Sequence, residues 1–301
     1  MLHNEKELFE QVILRTADAL RIEPGIIEKD YFVTMFLKKL AAKQPNIVFK
    51  GGTSLSKCHR LIHRFSEDID LNLQGDTKPP ESVRRKLRVS IYSAIEELEL
   101  SLENPDDIRS RRDFNKYIIK YPSAFGAVQL KPNLVVETAI FFRAYPTQKM
   151  QATSFVYDYL SANGFDEVIE KYELQPFELN VQTADRTLID KLFALGDYYL
   201  NGTTTEHSRH IYDIHKLLGV VEIHDDLKKL MVAVREERKP HKTCHSAQDG
   251  VDMNALLQEI VDKGVYKADY KDITEALLFD AVSYETAIEA IREIVSSGLF
   301  D

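Results

Sequence analysis

A chain of 301 residues is too long for a peptide hormone or a disulfide-stapled miniature domain, and long enough to bury a core of its own. With 44% hydrophobic and 29% charged residues, and only 12 Gly and 10 Pro, its composition excludes collagenous and disordered chains. Lys and Arg number 39 against 48 Asp and Glu, a net charge of −9, so any contact with nucleic acid must be made by local basic patches.

The first forty or so residues predict two helices. Leu8, Val12, Ile13, Ala17 and Leu20 recur at helical spacing, and Pro24 opens a second run through Ile27, Tyr31, Met35 and Leu40. A short apolar run, Asn46 to Lys50, is ended by Gly51-Gly52. A Ser/Thr-started helix from Thr53 to Ile62 follows, then a second strand from Ile69 to Leu73. Residues 80 to 103 are helical by pattern and carry the basic cluster Arg84, Arg85, Lys86 and Arg88, and two more strands are expected at Tyr117 to Tyr121 and Ala127 to Phe142. Beyond Pro146 helical periodicity dominates, with helices expected at 183–200, 207–220, 225–235, 253–263 and 280–296. The expected organisation is a helical preface at 1–45, a mixed α/β core at 46–150 and a mainly helical segment at 151–301.

Two cysteines, Cys58 and Cys244, make no disulfide framework, and neither belongs to a CxxC pair. The polar, acidic start of the chain lacks the basic and apolar regions of a signal peptide, and no run of about eighteen uninterrupted apolar residues occurs. A cytoplasmic, non-membrane protein is the expectation.

The chemistry concentrates in Phe49-Lys50-Gly51-Gly52-Thr53-Ser54-Leu55 and Arg64-Phe65-Ser66-Glu67-Asp68-Ile69-Asp70-Leu71. On a strand, Asp68 and Asp70 point to one face, about 7 Å apart along the backbone, and Ile69 and Leu71 to the other. Two carboxylates so placed repel unless a cation joins them, and hard oxygen ligands suit Mg²⁺, which binds through one or two carboxylates plus substrate phosphates. Gly51 and Gly52 allow a ligand close to the backbone, and Thr53 or Ser54 begins a helix whose free N–H groups favour phosphate. Taken singly, each motif also fits an ordinary surface; the pair in one strand–helix–strand unit carries the argument.

These strings resemble the signature of the AbiEii/AbiGii-type toxin family of nucleotidyltransferases, within the DNA polymerase β-like superfamily. The resemblance begins at Lys29-Asp30 and runs through Asp190-Lys191-Leu192-Phe193-Ala194-Leu195 and Ser208-Arg209-His210-Ile211-Tyr212-Asp213-Ile214 to Leu217. It implies an α/β (α+β) fold: a polymerase β-like core of a small mixed sheet flanked by helices, with a helical C-terminal half. It also implies a third acidic residue on a neighbouring strand, for which Glu137 is the candidate. An ionised Glu in the apolar run 133–142 is costly to bury without a cation or partner. The alternative is an edge strand with Glu137 solvated or paired with Arg143.

The implied reaction is nucleotidyl transfer, moving NMP from an NTP onto an acceptor hydroxyl, with Asp68, Asp70 and Glu137 holding two Mg²⁺ ions. Lys191 is implied to serve the pyrophosphate leaving group, and Asp213 and Arg209 to shape the nucleotide pocket. Arg209 and Asp213 are also spaced for an ordinary i,i+4 ion pair. Lys50 stands where it can touch phosphate, together with Gly51, Gly52, Thr53 and Ser54. The family further implies RNA, such as the 3′ end of tRNA, as acceptor and a cognate antitoxin as partner.

A basic stretch at 109–120, which contains Phe114 and Tyr117, suits a phosphate-backbone track with stacking partners, as does 84–88, although a solvated charged face explains them too. The clusters His207/His210/His215 and His241/Cys244/His245 lack ligand spacing for zinc. Two further readings are a nucleotide-binding regulator without turnover and a metal-dependent phosphohydrolase.

Overall fold

The computed structural model of the protein describes residues 1–75, 79–126 and 131–301. The chain forms two compact units, Met1–His59 with Ser66–Gln182, and Arg60–Phe65 with Thr183–Asp301.

The first unit opens with α1 (Lys6–Leu20) and α2 (Pro24–Lys43). Pro24 sits in the first turn of α2, where its missing N–H costs nothing. Whereas α1 buries one stripe of Phe9, Val12, Ile13 and Ala17, α2 is buried nearly all round, Glu28, Lys29 and Asp30 included. There follow β1 (Ile47–Lys50), α3 (Gly51–Lys57), β2 (Asp68–Leu73) and α4 (Glu81–Glu97). Next come β3 (Ser101–Leu102), β4 (Phe114–Lys120), β5 (Asn133–Ala139) and β6 (Thr147–Ala152). The unit closes with α5 (Phe155–Ala162), α6 (Asp166–Lys171) and β7 (Phe177–Gln182).

The strands form one seven-stranded mixed sheet in the order β3-β4-β5-β2-β1-β7-β6. β2 runs parallel to β5 and β1 parallel to β7, and the other neighbours are antiparallel. Alternation decides the faces: Ile69, Leu71, Phe49 and Val136 are buried, while Asp68, Asp70 and Glu137 remain partly exposed.

Several expected boundaries shift. The Gly-Gly pair is not a turn ahead of a helix from Thr53 to Ile62, because Gly51 is itself the first residue of α3, which ends at Lys57. The expected strand at 127–142 is realised as β5, and residues 127–130 of that stretch lie outside the described residues. The strand expected at Tyr117 starts three residues earlier, at Phe114. Beyond Pro146 two strands precede the helical run. The first, Thr147-Gln148-Lys149-Met150-Gln151-Ala152, is polar and shows little of the apolar alternation that marks a strand; the second, Phe177-Glu178-Leu179-Asn180-Val181-Gln182, alternates apolar and polar residues strictly, a strand signal the sequence did carry. Backbone pairing and the buried Leu179 and Val181 hold them in the sheet.

The second unit is helical: α7 (Ala184–Leu200), α8 (Arg209–Leu218), α9 (Asp225–Arg238) and α10 (Met253–Lys263). The short α11 (Lys267–Asp269), a π-helical turn at Tyr270–Thr274 and α12 (Glu275–Leu277) lead to α13 (Tyr284–Ser296). Side-chain caps begin several of these helices, Thr183 before α7, Asp252 before α10 and Ser283 before α13. The segment 60–65 pairs with 277–279 through Phe65 N–H to Leu277 O and Phe279 N–H to His63 O. Among the described residues no helix is long and apolar enough to cross a membrane.

Candidate active site

In the first unit, one row of in-register residues crosses four strands: Lys50 on β1 opposite Asp70 on β2, Asp70 opposite Glu137 on β5, and Glu137 opposite Lys116 on β4. Side chains in register share a face, so two carboxylates are flanked by two ammonium groups at one level of the sheet. Asp68, two residues earlier on β2, lies on the same face. Glu137 is on an interior strand and pairs with Lys116, with Nζ 3.1 Å from Oε1, so neither the edge-strand position nor the pairing with Arg143 holds. Lys131 Nζ stands 3.6 Å from Asp68 Oδ1 and 3.5 Å from Glu67 Oε1.

Gly51 sits where β1 turns into α3, with φ +75°, a conformation that L side chains rarely adopt. A Cβ there would stand 2.0 Å from Asp70 Oδ2, so glycine is what lets the Asp70 carboxylate rest against the start of the helix. The side chains of Thr53 and Ser54 turn inward. The Thr53 hydroxyl donates to the Asp68 carbonyl at 2.6 Å and lies 3.0 Å from Ser66 Oγ; the Ser54 hydroxyl donates to Gly51 O at 2.9 Å. The two hydroxyls brace β2 and the helix start, and the first-turn N–H groups of Gly51 to Ser54 are what this turn can offer a ligand.

A layer of buried charge behind this face was not read from the sequence. Lys29 on α2 donates to Glu67 Oε2 at 2.5 Å and to Lys131 O at 2.8 Å; burial pushes its pKa below the ordinary lysine value, against the opposing pull of Glu67. Asp30 accepts from Lys57 Nζ at 2.5 Å and from the Phe155 N–H at 2.9 Å, tying the end of α3 to α2 and to the start of α5. Charged residues on every face of an otherwise apolar helix were the available signal, since such a helix is buried all round.

In the second unit Asp213 is fully buried between two cations. Arg64 grips it with two bonds, Nε to Oδ1 and Nη2 to Oδ2, both 2.7 Å, and Lys191 Nζ lies 2.6 Å from Oδ2. Burial by itself would raise the pKa of Asp213, but Arg64 and Lys191 overcome it and hold the carboxyl well below the usual carboxylate range. Burial and the neighbouring Arg64 and Arg209 pull Lys191 below its ordinary value against Asp213. The expected Arg209–Asp213 pair is therefore replaced: among the described residues the ion partners of Asp213 are Arg64 and Lys191. Arg64 was missed because it lies 149 residues from its partner, beyond any helical spacing rule. Tyr198 stacks on His207 at a centroid distance of 3.4 Å and lies 5.6 Å from His210, whose pKa burial and the adjacent Lys191 and Arg209 drive far down.

Among the described residues no three His, Cys, Asp or Glu side chains are grouped as a metal-ligand set. The residues nevertheless fit a divalent cation of the kind that takes two carboxylates and completes its shell with substrate phosphates. Asp68 and Asp70 supply hard oxygens on one face, and the ammonium groups of Lys131 and Lys116 already set positive charge against the Asp68 and Glu137 carboxylates.

A family model described as nucleotidyl transferase AbiEii toxin, type IV TA system, matches residues 36–295. The match starts after Lys29-Asp30 and runs well past Leu217, so it takes in most of the second unit. No curated protein matches the chain. Among solved structures, the chain is similar to MenT4, a nucleotidyltransferase toxin from Mycobacterium tuberculosis, with a TM-score of 0.54 at 16% identity over 97% of this chain and 89% of that one. It is also similar to JHP933 from Helicobacter pylori, with a TM-score of 0.45 at 18% identity over 91% of this chain and 93% of that one.

Proposed function

The chain belongs to the AbiEii family of nucleotidyltransferase toxins of type IV toxin–antitoxin systems, and from that premise we propose that it moves NMP from an NTP onto a hydroxyl of RNA, the 3′ end of tRNA being the preferred acceptor. The observation that carries this reading is the in-register pair Asp70–Glu137, with Asp68 on the same face, beside a glycine that admits the Asp70 carboxylate to the start of a helix.

Asp68 and Asp70 are the proposed ligands of Mg²⁺, with Glu137 as the third carboxylate once Lys116 moves off it. When bound, two such ions lower the pKa of an attacking hydroxyl and offset charge on the phosphates. The chain's own groups do the rest. The N–H groups of Gly51 to Ser54 donate to phosphate oxygens, and Lys50, at the end of β1, adds a positive charge beside them. For Lys191 we retain the role of stabilising the leaving pyrophosphate, and for Arg209 that of a nucleotide contact. Asp213 holds Lys191 in place together with Arg64. No covalent enzyme intermediate is required, because the acceptor oxygen attacks the α-phosphorus directly as the bond to pyrophosphate breaks. A cognate antitoxin and a cytoplasmic site of action complete the proposal.

The test is incubation of the protein with total RNA, Mg²⁺ and each α-³²P-labelled NTP in turn, beside Asp70→Asn. A discrete labelled RNA with one NTP, absent with the variant, is the expected result. An Asp70→Asn protein that folds normally and labels RNA as well as the parent would overturn the assignment.

A further inference from the structure

Two basic segments far apart in the sequence meet on the first unit. Glu81, Arg85 and Arg88 of α4 and the loop residues Arg109, Ser110, Arg111 and Arg112 line one open cleft of about 660 Å³. Five guanidinium groups face a single carboxylate in a chain whose net charge is −9, so the cleft is a local reversal of the molecule's charge.

The loop that carries four of the lining residues is held in shape. The Asn115 side chain accepts from the Arg109 N–H at 2.9 Å and donates to the Arg109 carbonyl at 3.0 Å. Arg84 donates to the Arg111 carbonyl at 3.1 Å and to Asp113 at 2.8 Å, and Arg112 donates to the Asp107 carbonyl at 3.0 Å. The outer arginines are barely engaged. Arg85 lies 3.5 Å and Arg111 3.7 Å from Glu81, with side chains 64% and 86% exposed, a weak surface arrangement that leaves their donors available. In the lining, the buried Ser110 hydroxyl has no hydrogen-bond partner among the described residues. Two aromatic faces adjoin: Tyr92, with the Arg88 guanidinium 6.0 Å above its ring, and the exposed Phe114 two residues beyond Arg112.

We propose that this arginine cleft docks the phosphodiester backbone of the RNA acceptor, with Tyr92 and Phe114 offering stacking faces to unpaired bases; the proposal rests on the reading of RNA as acceptor given above. Guanidinium forks match phosphate oxygens in pairs, and arginines beside exposed aromatic rings suit a single strand, whose bases are free to stack. An acidic protein partner is the poorer fit, because protein interfaces bury an apolar centre and the cleft is lined by Arg, Glu and Ser alone.

The experiment is fluorescence anisotropy of a labelled single-stranded RNA, with a DNA strand of the same sequence as a second arm, titrated with the full chain over a series of salt concentrations. Arg85→Gln/Arg111→Gln removes two exposed cations without touching the loop's anchoring bonds. It should weaken RNA binding about tenfold near physiological salt and make the log–log salt slope shallower by about 1.4, at ~0.7 per lost phosphate contact. Glu81→Gln should shift affinity the opposite way. An unchanged affinity and slope in the double variant would overturn the proposal. So would a parent protein that binds labelled polyglutamate through these arginines and RNA not at all, or one that binds the DNA strand in preference to RNA. The two readings fail separately. If RNA binding follows expectation but no NTP labels RNA, docking stands and transfer to RNA falls; if the double variant labels RNA at an unaltered KM for RNA, docking falls and transfer stands.

Discussion

The Asp70 carboxylate rests on Gly51: the space a side chain would need at position 51 is held by Asp70 Oδ2, 2.0 Å from where a Cβ would lie. The Gly-Gly string and the DxD string, whose contacting residues Gly51 and Asp70 are nineteen positions apart, are thus two halves of one packing contact across the antiparallel β1–β2 pair, in which Lys50 and Asp70 are register partners.

Gly51→Ala therefore meets two penalties, a left-handed backbone and a displaced carboxylate. The first should cost about 1–2 kcal/mol of stability. The second should lower transfer activity at least about a hundredfold, the cost of moving a reacting group by roughly an ångström. Urea unfolding and label incorporation read the two effects separately; full activity in Gly51→Ala would show that Asp70 need not sit where it does.

Lys116 pairs with Glu137, so on the proposed reading it competes there with a divalent cation. Lys116→Met should change stability by no more than about 1 kcal/mol, since the pair is partly exposed. It should tighten Mg²⁺ binding in isothermal calorimetry, whereas Asp68→Asn should weaken or abolish it. Equal Mg²⁺ affinity in Lys116→Met and the parent would remove Glu137 from the ligand set.

In the second unit, Asp213→Asn leaves Arg64 and Lys191 buried without a counter-charge and should cost about 3–5 kcal/mol. Lys191→Met should cost less, because the two-bonded Arg64 still neutralises Asp213. The pH dependence has a definite sign. The folded pKa of Asp213 is depressed, so its contribution is fully present above the unfolded value of about 3.9 and is lost as pH falls through the lower folded value. Denaturation midpoints followed from neutral pH into acid should drop more steeply below about pH 4 in the parent than in Asp213→Asn. Parallel acid limbs would count against a depressed Asp213.

Lys29→Met strips Glu67 of its buried ammonium and leaves it to Lys131, the same lysine that stands near Asp68. Stability should fall by about 3 kcal/mol, near the lower end for breaking a buried pair, because Glu67 keeps some solvent and a second cation. Thermal unfolding of Lys29→Met beside Lys29→Met/Glu67→Gln tests this, and the double variant should recover part of the loss.

What the sequence by itself determined was local. The two N-terminal helices, the strand before Gly51, the shared face of Asp68 and Asp70 and the helices from Ala184 onward follow from side-chain period and capping, which neighbouring residues decide among themselves. The family and its α/β class were legible in the same short strings. Everything else depended on which segments meet. Glu137 could be named as the third carboxylate that the family resemblance implies, its apolar surroundings lending a physical reason, yet its place beside Asp70 and Lys116 is set by the β4-β5-β2 order. β6 carries a polar sequence that becomes a strand only because backbone bonds to β7 hold it in the sheet, whereas the alternation of β7 was legible in the sequence and only its neighbours β1 and β6 were not. The i,i+4 rule correctly permits Arg209 to reach Asp213, but a fully buried carboxylate takes the partners that packing brings to it, and these are Arg64 and Lys191. The arginine cleft likewise exists only where α4 and the loop before β4 come together, since charge reads as a site only after tertiary structure has gathered it.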